Sequence, residues 1–167
     1  MTEKILQPLP LTAERFAPYG DVIETSAFSS SGMNDARFER FDDLADINVD
    51  TGDDGHVALS IARSKTPTVF PHRFDVVERH PLGSQAFIPL SEFVFTIVVA
   101  PRGESVDIDE LQAFVTNGKQ GINYHRGTWH MPLISAEEGQ RFLIVDRAPG
   151  DDNCEVVMLE RSVMLEV

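Results

Sequence analysis

The chain has 167 residues, 42% of them hydrophobic and 25% charged, with a formal net charge of −13 at pH 7. That length suits one domain spanning 1–167 with its own core, and the composition is that of ordinary globular material rather than a disordered or membrane-spanning chain. So negative a balance speaks against nucleic acid, whose phosphates need a basic face, but leaves room for a small anion held by a few arginines.

The chain begins with Met1-Thr-Glu-Lys-Ile, which lacks the basic and then apolar design of a signal peptide. Its longest apolar run, Phe93 to Ala100, is far shorter than the roughly 20 residues that span a bilayer. The single cysteine, Cys154, excludes an internal disulfide and reads as a small buried or incidental thiol. A cytoplasmic location with no membrane partner is the expectation.

The first predicted element is a short helix after Thr12, which can act as N-cap, although Arg15 occupies the place of a capping-box acid. Pro18 and Gly20 then end it. From Phe28 to Gly55 the sequence is polar and Asp-rich, predicting loops with a strand near Arg37-Phe-Glu-Arg-Phe41. Short β-branched or aromatic runs follow at 57–62, 93–100, 113–116, 141–145 and 155–159, separated by Gly, Pro, Asn and Asp clusters. A second short helix is expected at Asp107-Ile-Asp-Glu-Leu-Gln112. Many short strands in one domain predict an all-β sandwich or closed barrel with one or two short helices.

Two blocks concentrate chemistry-bearing side chains. In Val77-Glu-Arg-His-Pro-Leu-Gly-Ser-Gln-Ala-Phe-Ile-Pro-Leu90, Glu78 and His80 share a face if the segment is a strand, and Gln85 and Phe87 share one after the turn. A carboxylate beside an imidazole suits acid–base work or metal binding; a surface Glu with a loop-capping His is the alternative. The block Gly121-Ile-Asn-Tyr-His-Arg-Gly-Thr-Trp-His-Met-Pro-Leu133 holds Tyr124, His125, Arg126, His130 and the only tryptophan. His125 and His130, five apart, fall on opposite faces of a regular strand and converge only if Gly127 breaks it. Arg63, closing an apolar strand, is the preferred carboxylate anchor among Arg63, Arg79, Arg126 and Arg147. Neither a phosphate-binding Gly-rich loop nor a Gly-x-Ser-x-Gly elbow is present, and the acidic loop around Cys154 does not favour a thiolate nucleophile.

Residues 78–90 together with Gln120-Gly-Ile-Asn-Tyr-His-Arg-Gly-Thr-Trp-His130 resemble the ureidoglycolate lyase family, also called ureidoglycolate hydrolase. The likeness runs from Pro18-Tyr-Gly-Asp-Val-Ile23 to Asp146-Arg147 and Asn153-Cys154. It implies a cupin-like β-barrel of the double-stranded β-helix or jelly-roll type, a homodimer, and release of urea and glyoxylate from ureidoglycolate in allantoin breakdown. It also places His80 and Gln85 at the first cupin motif and His130 at the second. A divalent metal such as nickel, if bound, falls to His80, Gln85 and His130. Met131 stands where many members of the family have a further histidine.

On this reading His130 or His80 is the base, aided by Glu78. Tyr124 or the other histidine is the acid. Arg63 holds the substrate carboxylate, Gln85 the ureido group, and His125 adds to binding. A non-catalytic cupin module for a small ligand is the competing reading. A metal-dependent isomerase or oxygenase is disfavoured, because no two-His, one-carboxylate set is visible in the sequence.

Overall fold

The computed structural model describes residues 3–167. Its strands are β1 (Lys4–Leu6), β2 (Leu9–Pro10), β3 (Gly20–Ile23), β4 (Ser31–Met33), β5 (Phe38–Arg40), β6 (His56–Arg63) and β7 (His72–Arg79). Then come β8 (Gln85–Pro89), β9 (Thr96–Ala100), β10 (Gln112–Val115), β11 (Gly121–Tyr124), β12 (Trp129–His130), β13 (Arg141–Ala148) and β14 (Glu155–Leu165). One helical turn, α1 (Ala13–Phe16), lies between β2 and β3, and a 3-10 turn spans Ile108–Glu110. Both expected helical segments form, each as a single turn, the second as a 3-10 turn shorter than 107–112; Thr12 caps the first as predicted, and an Asp107 cap adds to the second. Thr12 accepts from Arg15 N at 3.3 Å, and Asp107 accepts from Asp109 N at 2.8 Å.

Seven strands form one sheet in the order β1-β14-β7-β12-β9-β10-β2, and five form a second, β3-β11-β8-β13-β6. The two curl toward each other as a half-barrel, in keeping with the all-β, cupin-like class. The strand expected near Arg37-Phe-Glu-Arg-Phe41 forms as β5, and it pairs with β4 in a hairpin within the polar stretch before residue 55.

Alternation along the strands builds two cores. Phe87, Ile97, Val99, Phe114, Ile122, Tyr124 and Phe142 cluster between the sheets. Val98, Ala100 and Trp129 point to the opposite face of the seven-stranded sheet, where Ile108 and Leu111 cover them. Strand β9 is therefore buried on both sides, which explains its unbroken apolar sequence. The run beginning at Phe93 starts its strand only at Thr96. Phe93 and Phe95 instead meet Phe142 edge-on, with ring centroids 5.1 and 5.0 Å apart. Burying each such ring contributes about 1.5–3 kcal/mol.

Candidate active site

Short strand β12 lies between β7 and β9, with His130 opposite Glu78 on one side and Val99 on the other. Period two then decides what faces where. Trp129 and Met131 belong to the outer core, so His130 turns inward between the sheets. Met131, the departure from the family pattern, is thus packed on the far side of the sheet from His130. The turn before β12 depends on Gly127, whose φ of +76° is open to glycine at little cost. Gly127 N also donates to His80 O at 2.9 Å, tying that turn to the end of β7.

Glu78 is the hub. Its Oε1 lies 3.5 Å from His130 Nε2 and 3.9 Å from His80 Nε2. The imidazole rings are 5.1 Å apart between centroids. Each ring is held from behind: His80 Nδ1 donates to Asn153 O at 2.6 Å, and His130 Nδ1 donates to Thr128 O at 2.9 Å. A carbonyl only accepts, so Nδ1 carries the proton and the neutral ring turns its Nε2 lone pair toward Glu78. Both Nε2 atoms are buried without a hydrogen-bond partner. Two lone pairs and a carboxylate thus converge with no donor between them, an arrangement that calls for a proton or a cation.

The surroundings set the titration. A hydrogen bond from His130, made when that ring carries a proton on Nε2, holds the Glu78 carboxyl below its usual range against the opposing effect of burial. Burial pushes His80 down, as does the nearby His130; the Asn153 carbonyl and the charges of Glu78 and Asp146 only partly restore it. Tyr124 stacks on His130, with centroids 4.2 Å apart and planes at 13°. Burial, aided by the Glu78 charge, raises its phenol far above the ordinary value, so it yields its proton poorly. Cys154 is exposed, so of the buried or incidental thiol expected the buried alternative falls, and its Sγ donates to Glu78 Oε2 at 3.7 Å. Burial and Glu78 raise its pKa, so it serves as a neutral donor.

Gln85 reaches the same interior from β8, on the face it shares with Phe87. Its Nε2 donates to Asp146 Oδ2 at 3.1 Å, and its Oε1 is buried without a partner. Asp146 is the residue that sequence reasoning missed. Its signal was the alternation of Phe142, Ile144 and Asp146 along β13.

Two expected residues lie elsewhere. His125 ends its strand on the other side, with Nε2 3.0 Å from Asp21 Oδ2. Burial alone would raise Asp21, but hydrogen bonds from Asn123, Asp46 N and His125 outweigh it and hold it low. Arg63 is exposed and pairs with Arg141, five residues along β13 from Asp146, or about 16 Å at strand rise. Its apolar neighbours Leu59 and Ile61 are 70% and 63% exposed, so the apolar run that made it look buried faces outward. The other arginines considered are engaged with different partners. Arg79 binds Glu155 and covers Trp129; Arg126 binds Pro81 O and Asn48; Arg147 donates to three backbone carbonyls.

Among the described residues, Glu78, His80 and His130 form a group able to hold a metal ion, with ligand atoms all within 4.8 Å of one another. This is the two-His, one-carboxylate set that the sequence did not reveal, because Glu78 and His80 come from the end of β7 and the residue just past it, and His130 from the separate strand β12. The ground for disfavouring metal chemistry therefore falls away.

Comparison with known proteins agrees with these motifs. The family profile described as Ureidoglycolate lyase matches residues 3–166. The chain is 44% identical over 156 residues to the ureidoglycolate lyase of Pseudomonas syringae pv. syringae (strain B728a), covering 93% of this chain and 91% of that one. It is 47% identical over 146 residues to that of Pseudomonas fluorescens (strain Pf0-1), covering 87% and 86%. For that of Escherichia coli O1:K1 / APEC the identity is 45% over 151 residues, covering 90% and 92%. The chain belongs to the ureidoglycolate lyase family.

Proposed function

We propose that this protein is an enzyme that cleaves ureidoglycolate to glyoxylate and urea in allantoin and purine breakdown, by acid–base elimination at the Glu78–His80–His130 cluster. The observation that carries the reading is the pair of buried, unpartnered Nε2 lone pairs beside an ionised carboxylate. The family's membership and its relatives' names support the substrate.

Ureidoglycolate bears a hydroxyl and the urea nitrogen on one carbinol carbon. The carbon–nitrogen bond breaks as the hydroxyl loses its proton, forming the aldehyde of glyoxylate. The departing nitrogen gains a proton and leaves as urea, so the net change is one proton moved from oxygen to nitrogen. One neutral imidazole accepts the hydroxyl proton at Nε2 while the other, carrying the cluster's one extra proton on its Nε2, delivers it to nitrogen; the cluster's charge is unchanged, and Glu78 stabilises whichever ring is charged. The low pKa of His80 favours it as the base. Tyr124, its proton tightly held, keeps the His130 ring in place. Gln85 receives the ureido group. Arg63 and His125 lie too far away or too firmly paired to anchor the carboxylate.

A divalent cation such as nickel fits the donor set, because three acceptors face one another without a donor. Glu78, His80 and His130 would hold it, in place of the set that included Gln85. Bound there, such an ion would supply Lewis-acid polarisation of the substrate oxygens. The same lone pairs do not ligate a metal and take up a proton at once, so chelation separates the two roles. Purified protein is incubated with ureidoglycolate, with and without chelator, and glyoxylate is measured. Activity that survives chelation supports proton transfer by the histidines; activity lost with chelator assigns them to the metal; no glyoxylate in either arm defeats the reading.

The reading includes a cytoplasmic homodimer. No described helix is long and apolar enough to cross a membrane. Edge strand β6 supports self-association: Val57, Leu59 and Ile61 are 52%, 70% and 63% exposed on one face of eight unpaired-edge residues. Exposed Asp53 and Asp54 precede the strand and Arg63 ends it. A two-fold axis through its middle sets acidic end against basic end.

A further inference from the structure

The half-open interior holds a polar pair, Gln85 and Asp146, of which the reading so far uses only Gln85. They come from adjacent strands β8 and β13, and both face the space occupied by Glu78 and His80. Asp146 is close enough for its charge to act on His80. An amide side chain is ambiguous in itself: it can present its oxygen or its NH2 to a ligand. Here the ambiguity is removed. Asp146 offers a carboxylate oxygen 3.1 Å away, and a carboxylate accepts, so the amide nitrogen must face it. Gln85 Oε1 is thereby turned the other way, where it is buried and meets no donor in the protein.

We infer that Asp146 is a positioning residue that fixes the Gln85 amide as an acceptor for the N–H groups of the ureido end of the substrate. This deepens the lyase reading and rests on it. A ureido group carries N–H donors that an acid, an ester or a methyl ketone lacks, so a fixed acceptor selects for it. Losing one such hydrogen bond reduces affinity about three- to tenfold.

The test uses two competitive inhibitors of one shape, N-carbamoylglycine and N-acetylglycine, which differ by an NH2 in place of a methyl. The wild-type protein favours the carbamoyl compound by about three- to tenfold. In D146N the new amide can donate to Gln85 Oε1, letting the Gln85 amide turn over, and the ratio of inhibition constants falls toward one. D146E, which keeps an acceptor, restores the preference; D146A, which has none, loses it and serves if D146N does not fold. A purely structural role for Asp146 would weaken both inhibitors alike and leave their ratio unchanged. A wild-type ratio near one, or a full preference retained in D146N or D146A, overturns the inference while glyoxylate release continues. Absence of glyoxylate release from ureidoglycolate in the wild type overturns the lyase reading beneath it.

Discussion

Replacing Glu78 with Gln separates chemistry from architecture. The amide fills the same space as the carboxylate, and its NH2 can donate to His130 Nε2, now 3.5 Å away and unpartnered. Its remaining oxygen still accepts from Cys154. A hydrogen bond of about 1 kcal/mol replaces the ionic contact, so folding stability should move by no more than about 1 kcal/mol and the melting temperature by about 2–4 °C. Activity should respond quite differently. In the proposed elimination Glu78 is the negative group that stabilises a charged imidazole, and acid–base assistance of this kind is worth about 10²–10⁴ in rate, or roughly 2.7–5.4 kcal/mol of barrier. The assay is kcat/KM for glyoxylate release, beside a thermal melt of the same sample. A variant within threefold of wild-type turnover refutes the role given to the carboxylate. A variant that unfolds shows instead that Glu78 is chiefly structural.

Four further outcomes follow from the structure. His80 is held below its ordinary 6.5, so its neutral form persists under mildly acid conditions and the acid limb of kcat/KM should lie below pH 6.5; in E78Q, which lacks a charge that raises His80, that limb should move further toward acid, and a limb above 6.5 contradicts the assignment. Glu78 itself titrates below its ordinary 4.5, so the stability it contributes is complete above 4.5 and lost as pH falls through the lower folded value; urea melts of wild type and E78Q should converge in that range. His130→Asn should abolish urea release while circular dichroism stays that of a folded β protein. Leu59→Asp places a charge in the apolar face of β6 and should weaken self-association over a hundredfold, read by sedimentation velocity; an unchanged oligomer moves the interface elsewhere.

The parts of the site that were legible in the sequence lie close together along the chain. Glu78 and His80 are two apart at a strand end, and the resemblance of residues 126–130 to the second cupin motif picked out His130. The resemblance put His130 and Glu78 in one site, but their cross-strand adjacency was not visible, because β7 and β12 meet only through sheet order, fifty residues apart in sequence. For that reason the two-His, one-carboxylate group escaped notice although each member was named. Arg63 was misplaced for an opposite cause: Val57, Leu59 and Ile61 are apolar yet lie outward on an edge strand, so an apolar run did not mean burial. Asp146 was passed over as a neighbour of Arg147. Its alternation with Phe142 and Ile144 signalled only an inward position, and the contact with Gln85 on the neighbouring strand brings it beside the site.

The most direct measurement is the product balance from ureidoglycolate with the purified wild-type protein. Cleavage at the carbinol carbon yields glyoxylate and urea in equal amounts and no ammonia, whereas attack at the ureido carbonyl yields ammonia and carbon dioxide. Urea matching glyoxylate one for one, with both lost in His130→Asn, is the outcome that elimination at Glu78, His80 and His130 requires. Ammonia in place of urea, or full turnover by the His130 variant, would contradict it.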